Sequence, residues 1–409
     1  MSPTSPEPRR IVPLDAAGWR WASGRLPPTN PAAHAVGEAV SLPHCWNAAD
    51  EYVPGRELRR GWATYWLDFD WPAPEKDRDF RLRCGGFYGV GRVWLNGRTI
   101  GRFNGDYLGF DLDVTEALRA GANRLAIQVS NRYSRAVLPG IRDPDFHLYG
   151  GLGGGLHLAV LPRVRLRRRE CRATLEEAAA GAIRIEVGLT NRDGPCAALS
   201  LHVAVRDPAG RTVAEPAPVD VALPPGETAR RDILCAIPAP QLWSPETPDL
   251  YAAEATLRCG AEVVDRISWT FGLRTAEFDP QRGFLLNGKP TVLRGVNRHE
   301  NLPGFGFALP PALHAEDARL IKELGFNFVY RLTGQVPLIQ GLHGQTARFA
   351  ARSGLAFGRL FVGLGGMIEI AVKTHLASSC ASRLTISRAD SAASAPLLPA
   401  LVPERSMAC

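Results

Sequence analysis

Asn297, Arg298, His299 and Glu300 set an amide, a guanidinium, an imidazole and a carboxylate side by side in the sequence GVNRHEN. If they close a strand of a parallel α/β barrel, they stand where such barrels gather their reacting groups. The plainer alternative is a structural histidine satisfied at a strand end. Other chemistry-bearing residue types point elsewhere. The eight cysteines are dispersed, with no C-x-x-C pair and no histidine at metal-ligand spacing, which argues against zinc. The run Gly150 to Gly155 superficially suggests a phosphate cradle, but no Lys-Ser/Thr follows and no helix opens, so no nucleotide site is expected. Trp46, Trp62, Trp66 and Trp94 offer faces on which a pyranose could stack. Their places inside alternating strands favour core packing instead, and His44, Trp243 and Trp269 also read as structural.

The elements that must position these groups are mostly strands. The 409 residues, 45% hydrophobic and 22% charged, describe a soluble globular chain of two to three domains. Its 41 Gly and 33 Pro favour turn-rich β architecture over helical bundles. The net charge is +7, but the arginines are scattered among acids. The one dense run, Arg163, Arg165, Arg167, Arg168 and Arg169, reads as a solvated strand edge, so no nucleic-acid partner is expected. The N-terminus, MSPTSPEPRRIVPLDAAG, has no apolar stretch after its arginines and does not read as a secretory signal. With cysteines that do not pair by pattern, this predicts a reducing, cytoplasmic home. Leu355 to Ala377 is apolar, but Arg359, Glu369 and Lys373 interrupt it, so no membrane span is expected.

From Gly61 to about Leu161, WATYWLDFDWP, DFRLRCGGF, GRVWLNGRTIGRF and NRLAIQVSNR read as short strands between turns, the pattern of a β-sandwich or jelly roll. Asn96-Gly97 predicts a type I′ hairpin. VTEALRAGANRL, near Thr115, predicts one short helix stopped by Gly121. A second β module at about Arg163 to Glu277 alternates in AIRIEVGLTN, SLHVAVRD and RRDILCAI, and suits an immunoglobulin-like sandwich without a Cys-Trp-Cys framework. After Phe278 the period changes. A strand at about Thr291 to Val296 precedes a helix over PALHAEDARLIKELG, with apolar Leu313, Leu320, Ile321 and Leu324 and a Gly325 stop. A strand at Phe326 to Tyr330 completes a βαβ unit. A full (β/α)8 barrel needs about 200 to 250 residues, more than follow Phe284. From Arg331 to Cys409, Ala, Ser, Gly and Leu dominate and strand-helix alternation stops.

In order along the chain stand LPHCWN, GWATYW, VWLNGRTIG, YLGFDLDVTEAL, DFHLYGGL, LWSPETPDLY, FGLRT and FLLNGKPTVLRGVNRHEN. Together they resemble the family 2 glycoside hydrolases, the β-galactosidases, β-glucuronidases and β-mannosidases, over roughly Leu42 to Tyr330. The resemblance implies a mainly β chain: a jelly-roll sugar-binding domain at 1–162, an immunoglobulin-like β-sandwich at 163–277, and the first βαβ of a TIM-type catalytic barrel at 278–330. Residues 331–409 would be an aberrant tail, from a frame shift or truncation.

The implied reaction is retaining hydrolysis of a β-glycosidic bond by two carboxyl groups about 5 to 5.5 Å apart. No catalytic residue can be assigned, because no Asn-Glu pair follows Tyr330 and Glu369 and Glu404 read as incidental. The chain by itself is therefore expected to be inactive. By the same resemblance Asp145, Asn297, His299 and Glu300 would bind substrate, a β-galactoside or β-glucuronide; for Asp145 the alternative is a loop Asx-turn acid. Where the family carries an aromatic or His and then Arg, this chain has Gly153-Gly154-Gly155, expected to loosen the loop. No cofactor is identifiable, although Mg or Na assists the galactosidase branch. The sequence leaves homo-oligomer formation open. A non-catalytic carbohydrate-binding β-sandwich protein is the competing reading.

Overall fold

Asn96 and Gly97 take φ of 54° and 80°, the pair of positive values that a type I′ turn requires. The hairpin they close, Tyr88–Leu95 against Arg98–Asp106, forms one edge of a six-stranded antiparallel sheet. Across that sheet the order is Glu38–Val40, Trp19–Ser23, Trp62–Trp71, Gly121–Ser130, then the hairpin. A four-stranded sheet of Arg10–Pro13, Leu156–Pro162, Arg78–Cys84 and Phe110–Asp113 faces it. Period-two alternation turns Tyr65, Leu67, Ile127, Val129 and Val93 inward against Phe80, Leu82, Leu156 and Leu158, and these form one core. The computed structural model describes residues 8–15, 18–29, 37–106, 109–135, 137, 147–178, 180–195, 198–299, 301–330, 356–362 and 368–371.

The helix expected near Thr115 is a single turn instead. Ala117 and Leu118 donate to the Val114 carbonyl at 3.0 and 2.9 Å, and there the turn stops. Asn96 Nδ2 takes the Ala117 carbonyl at 2.8 Å, and Asn123 bonds both the N–H and the carbonyl of Arg119. Two buried or half-buried asparagines thus claim the backbone groups that a second turn would need.

The second module is a sandwich of its own. Ala182–Asn191 pairs with Val164–Leu166 and Arg172–Glu177 on one side and Thr228–Ala236 on the other. Leu199–Arg206, Tyr251–Cys259 and Glu262–Phe271 build the facing sheet, with short strands Thr212–Ala214 and Val219–Val221 at its edge. Ile183, Ile185, Val187 and Leu189 pack on Leu201, Val203, Ala255 and Leu257 between them.

The arginine run is a solvated edge only in part: Arg167, Arg168 and Arg169 are exposed, whereas Arg163 and Arg165 are half-buried. Arg165 bonds the fully buried Asp79 of the first sandwich, and Arg192 reaches the same carboxylate at 2.9 Å and Asp113 at 2.6 Å. Arg168 lies 5.7 Å over the Trp269 ring. On the other side of the junction Arg9 donates to Asp265 at 2.6 Å, and Asp265 also accepts from the Leu166 N–H at 2.7 Å. Arg165 thus found its acid across the module boundary, 86 residues away in sequence. Sequence distance hides such partners.

The third part opens with a small sheet of Ala276–Asp279, Gly283–Leu286 and Lys289–Pro290. Gly295–Asn297 and Phe328–Tyr330 follow as parallel neighbours, with the helix Pro311–Glu323 between them in sequence. The first strand starts later than its sequence pattern, because Thr291 still donates to Phe284 at 2.8 Å and Arg294 to the Asn327 side chain at 2.8 Å. The helix buries His314 and Ala318 rather than the expected leucines; Leu320 and Leu324 are exposed by 43% and 75%. Its inner face is set by Asp317, which binds Arg298, and by Val329, which packs on Ala318. Ala356–Val362 adds a third parallel strand and Ile368–Ala371 returns antiparallel, although the sequence pattern offered no element there. The rest of 331–409 lies outside the described residues, as does most of the apolar segment Leu355 to Ala377 that lies between and beyond these strands. Among the described residues no helix is long and apolar enough to cross a membrane.

Candidate functional site

Asn297 ends the first parallel strand with its side chain exposed, and His299 is exposed two residues on. Between them Arg298 is buried and turns back to the helix, where its Nε donates to Asp317 Oδ2 at 2.8 Å. That ion pair holds the strand end and leaves the amide and the imidazole outward. Asp145 and Glu300 lie outside the described residues, so the two flanks of the former carry what can be said of its loop.

Two asparagines fasten the loop from Leu148 to Leu152. Asn47, fully buried, accepts from the Gly150 N–H at 2.8 Å and donates to the carbonyls of Leu148 and Arg59 at 3.3 Å. Asn131, also fully buried, donates to the same two carbonyls at 3.0 and 3.1 Å. Asp50 holds Arg59 in place, accepting from its backbone N–H at 3.0 Å and its Nε at 2.9 Å. Burial opposes ionisation of Asp50, yet the hydrogen bonds and charge of Arg59 keep its carboxyl below the usual range. Neither asparagine belongs to a motif that would mark it for this role in the sequence. Their only local signal is an Asn just beyond a strand, which is common in turns.

The loop then meets the barrel start. Asn301 Nδ2 donates to the Tyr149 hydroxyl at 3.0 Å, and the Tyr149 ring stacks on Phe307 with centroids 6.2 Å apart. Cys45, Ala48 and Ala308 complete this buried cluster between the two domains. The triple glycine is part of the same contact and is not loose. A Cβ on Gly153 would lie 2.1 Å from the Phe307 ring, and one on Gly154 would lie 2.4 Å from the Gly85 backbone. Gly154 donates to the Gly86 carbonyl at 3.0 Å, so the bulky residues expected there are replaced by direct backbone packing.

The neighbouring His44 is not an acid or base at neutral pH. Burial and then the Arg59 charge lower it to about 4, and its Nδ1 lies 2.9 Å from the Tyr65 hydroxyl. Burial likewise pushes the Cys45 and Cys84 thiols up to about 12 and Cys171 to about 11, which leaves them inert. Of the four tryptophans weighed as sugar platforms, Trp46 and Trp66 are buried, while Trp62 and Trp94 are half-buried. Trp243 and Trp269 are buried structural residues. Among the described residues no group of three or more His, Cys, Asp or Glu is placed to hold a metal ion.

A jelly roll whose loop packs on the segment after the first strand of a parallel unit, with a second sandwich between them in sequence, defines a mainly β multidomain architecture. Three family models match it in order: the glycosyl hydrolase 2 galactose-binding domain-like at 50–144, glycosyl hydrolases family 2 at 164–274, and the glycosyl hydrolases family 2 TIM barrel domain at 280–332. The chain belongs to glycosyl hydrolase family 2.

Relatives carry consistent names. A putative β-glucuronidase of Formosa agariphila is 30% identical over 314 residues, which are 76% of this chain and 37% of that protein. The β-glucuronidase of Bacteroides fragilis is 29% identical, covering 71% and 42%, and the β-galactosidase of Thermoanaerobacter pseudethanolicus 27%, covering 71% and 39%. The chain thus spans about two fifths of the length of these relatives. The crystal structure of Bacteroides uniformis β-glucuronidase superposes with a TM-score of 0.76 at 24% identity, over 85% of this chain and 42% of that one. It shares the fold.

Proposed function

We propose that this chain is the amino-terminal, carbohydrate-facing part of a β-glycosidase for β-glucuronides or β-galactosides, acting in the cytoplasm. The observation that carries the reading is the Tyr149–Asn301 and Tyr149–Phe307 contact, which ties the jelly-roll loop to the segment that directly follows the exposed Asn297 and His299 in the chain. On this reading Asn297 and His299 hydrogen-bond sugar hydroxyls from the barrel side; Asp145 and Glu300, which the family resemblance also assigns to the substrate, lie outside the described residues.

We propose further that the chain as it stands binds sugar without cleaving it. The family match to the barrel ends at 332, and only Glu369 and Glu404 are available as later glutamates. Retaining hydrolysis requires two facing carboxyl groups, one ionised and one protonated. Removing both abolishes the chemistry.

The test pairs two measurements on the purified protein. Nitrophenyl β-glucuronide and β-galactoside are expected to show no turnover above buffer, whereas calorimetry with the same sugars is expected to show binding at millimolar or tighter affinity. Turnover that survives further purification would overturn the inactive reading. Absence of binding to either sugar would overturn the sugar-facing role.

A further inference from the structure

The outer face of the six-stranded sheet carries side chains used by neither the core nor the candidate site. Register sets Arg92 of Tyr88–Leu95 directly opposite Arg102 of Arg98–Asp106, at the sheet edge. Like charges directly opposed across two strands destabilise a sheet, so folding does not account for the pair. Arg25 belongs to the same group: desolvation first, then the charges of Arg102 and Arg25, hold the Arg92 guanidinium below its ordinary value. Among the described residues none of the three makes an ion pair. Their neighbours differ. On the same sheet Arg124 forks onto Asp68 at 2.6 and 2.7 Å, and on the facing sheet Arg81 and Arg83 share Asp111. Among the described residues, acids are therefore paired with those arginines and not with these three.

Aromatic rings lie alongside. The Arg25 guanidinium stands 5.0 Å over the Trp62 ring, and Trp94, on the same face of its strand as Arg92, is half-buried with part of its surface in solvent. A guanidinium fork recognises a carboxylate or sulfate in bidentate fashion, and an indole face packs on the apolar face of a pyranose.

We propose that Arg25, Arg92 and Arg102, with Trp94, form a binding surface for an anionic polysaccharide, one bearing carboxylate or sulfate groups along its chain. Three charges suit a few sugar units. Non-specific nucleic-acid binding at physiological salt draws on more phosphate contacts than this. The surface lies on the jelly roll alone and stands whether or not the hydrolase reading does.

The test is affinity electrophoresis and calorimetry of the purified chain with polygalacturonate, dextran sulfate, neutral dextran and a single-stranded oligonucleotide. Binding to polygalacturonate, dextran sulfate or both is expected, weakening as salt rises, with none to dextran; which polymer binds identifies the anionic group. The double variant Arg92→Gln/Arg102→Gln is expected to weaken binding about tenfold without lowering the unfolding midpoint, since it removes a repulsion. Arg25→Gln, outside the strands, gives the same readout should the double variant misfold. No binding to either anionic polymer, undiminished binding by the variants, or tighter binding of the oligonucleotide overturns the proposal.

Discussion

Asp79→Ala tests whether the two sandwiches are joined by charge. The Asp79 side chain has no solvent exposure and receives Arg165 and Arg192 from the second sandwich. Removing one member of a buried pair typically costs about 3 to 5 kcal/mol, because the other charge is left desolvated. Two features reduce that here. Arg192 is 37% exposed and keeps Asp113 at 2.6 Å, so water and a second acid compensate it. Arg165 is only 17% exposed and keeps the Pro162 carbonyl at 2.9 Å, a neutral acceptor. Most of the loss therefore falls on Arg165, and about 2 to 3 kcal/mol is expected overall. In urea, with tryptophan fluorescence as the probe, that moves the midpoint down by about 1 M. Calorimetry should show a single coupled transition in the parent resolving into two, because the junction rather than either core has been weakened. The double variant Asp79→Asn/Arg165→Gln should recover part of the loss, as it removes the stranded charge. A change below about 0.5 kcal/mol, with the thermogram unaltered, would refute the assignment of this junction to buried ion pairs.

Two further outcomes follow from local geometry. Gly153→Ala forces a methyl against Phe307 and should cost about 1 to 3 kcal/mol, read as a lowered melting temperature; a variant as stable as the parent would mean that the loop is not packed on the barrel start. His44, lowered from 6.5 to about 4, stays neutral in the folded chain while the unfolded chain takes up a proton. Its contribution is thus complete above pH 6.5 and declines as the pH falls towards 4, by on the order of 2 kcal/mol after allowance for partial solvent screening. Urea titrations at pH 7 and pH 5 should show this decline in the parent and a flatter dependence in His44→Gln; equal slopes would remove His44 from the account.

The parts that were legible in the sequence share one property: their cause is local. Asn96-Gly97 specifies a hairpin because two adjacent residues must hold positive φ, and those two residue types do so cheaply. The helix at Pro311–Glu323 was legible from Pro at its start and Gly325 at its stop, with φ of 82° at that glycine. The turn near Thr115 had comparable local signals but lost its second turn to Asn96 and Asn123, one of which lies in a different hairpin. Leu320 and Leu324 had helical spacing too, yet burial went to His314 and Ala318, because Asp317, Arg298 and Val329 fixed the helix's rotation.

The same division runs through the candidate site. The sequence alone determined the order of the modules, most strands and turns of the two sandwiches, and the place of Asn297 and His299 near the close of the first parallel strand, since these rest on periodicity and on residues next to one another. Only the tertiary structure decided that Arg165 and Arg192 share Asp79, that Asn47 and Asn131 hold the Leu148 loop, and that Tyr149 meets Asn301 across 152 residues of chain. A buried polar group must find a partner wherever the fold brings one, and nothing in the spacing of residues along a chain records which distant one that is.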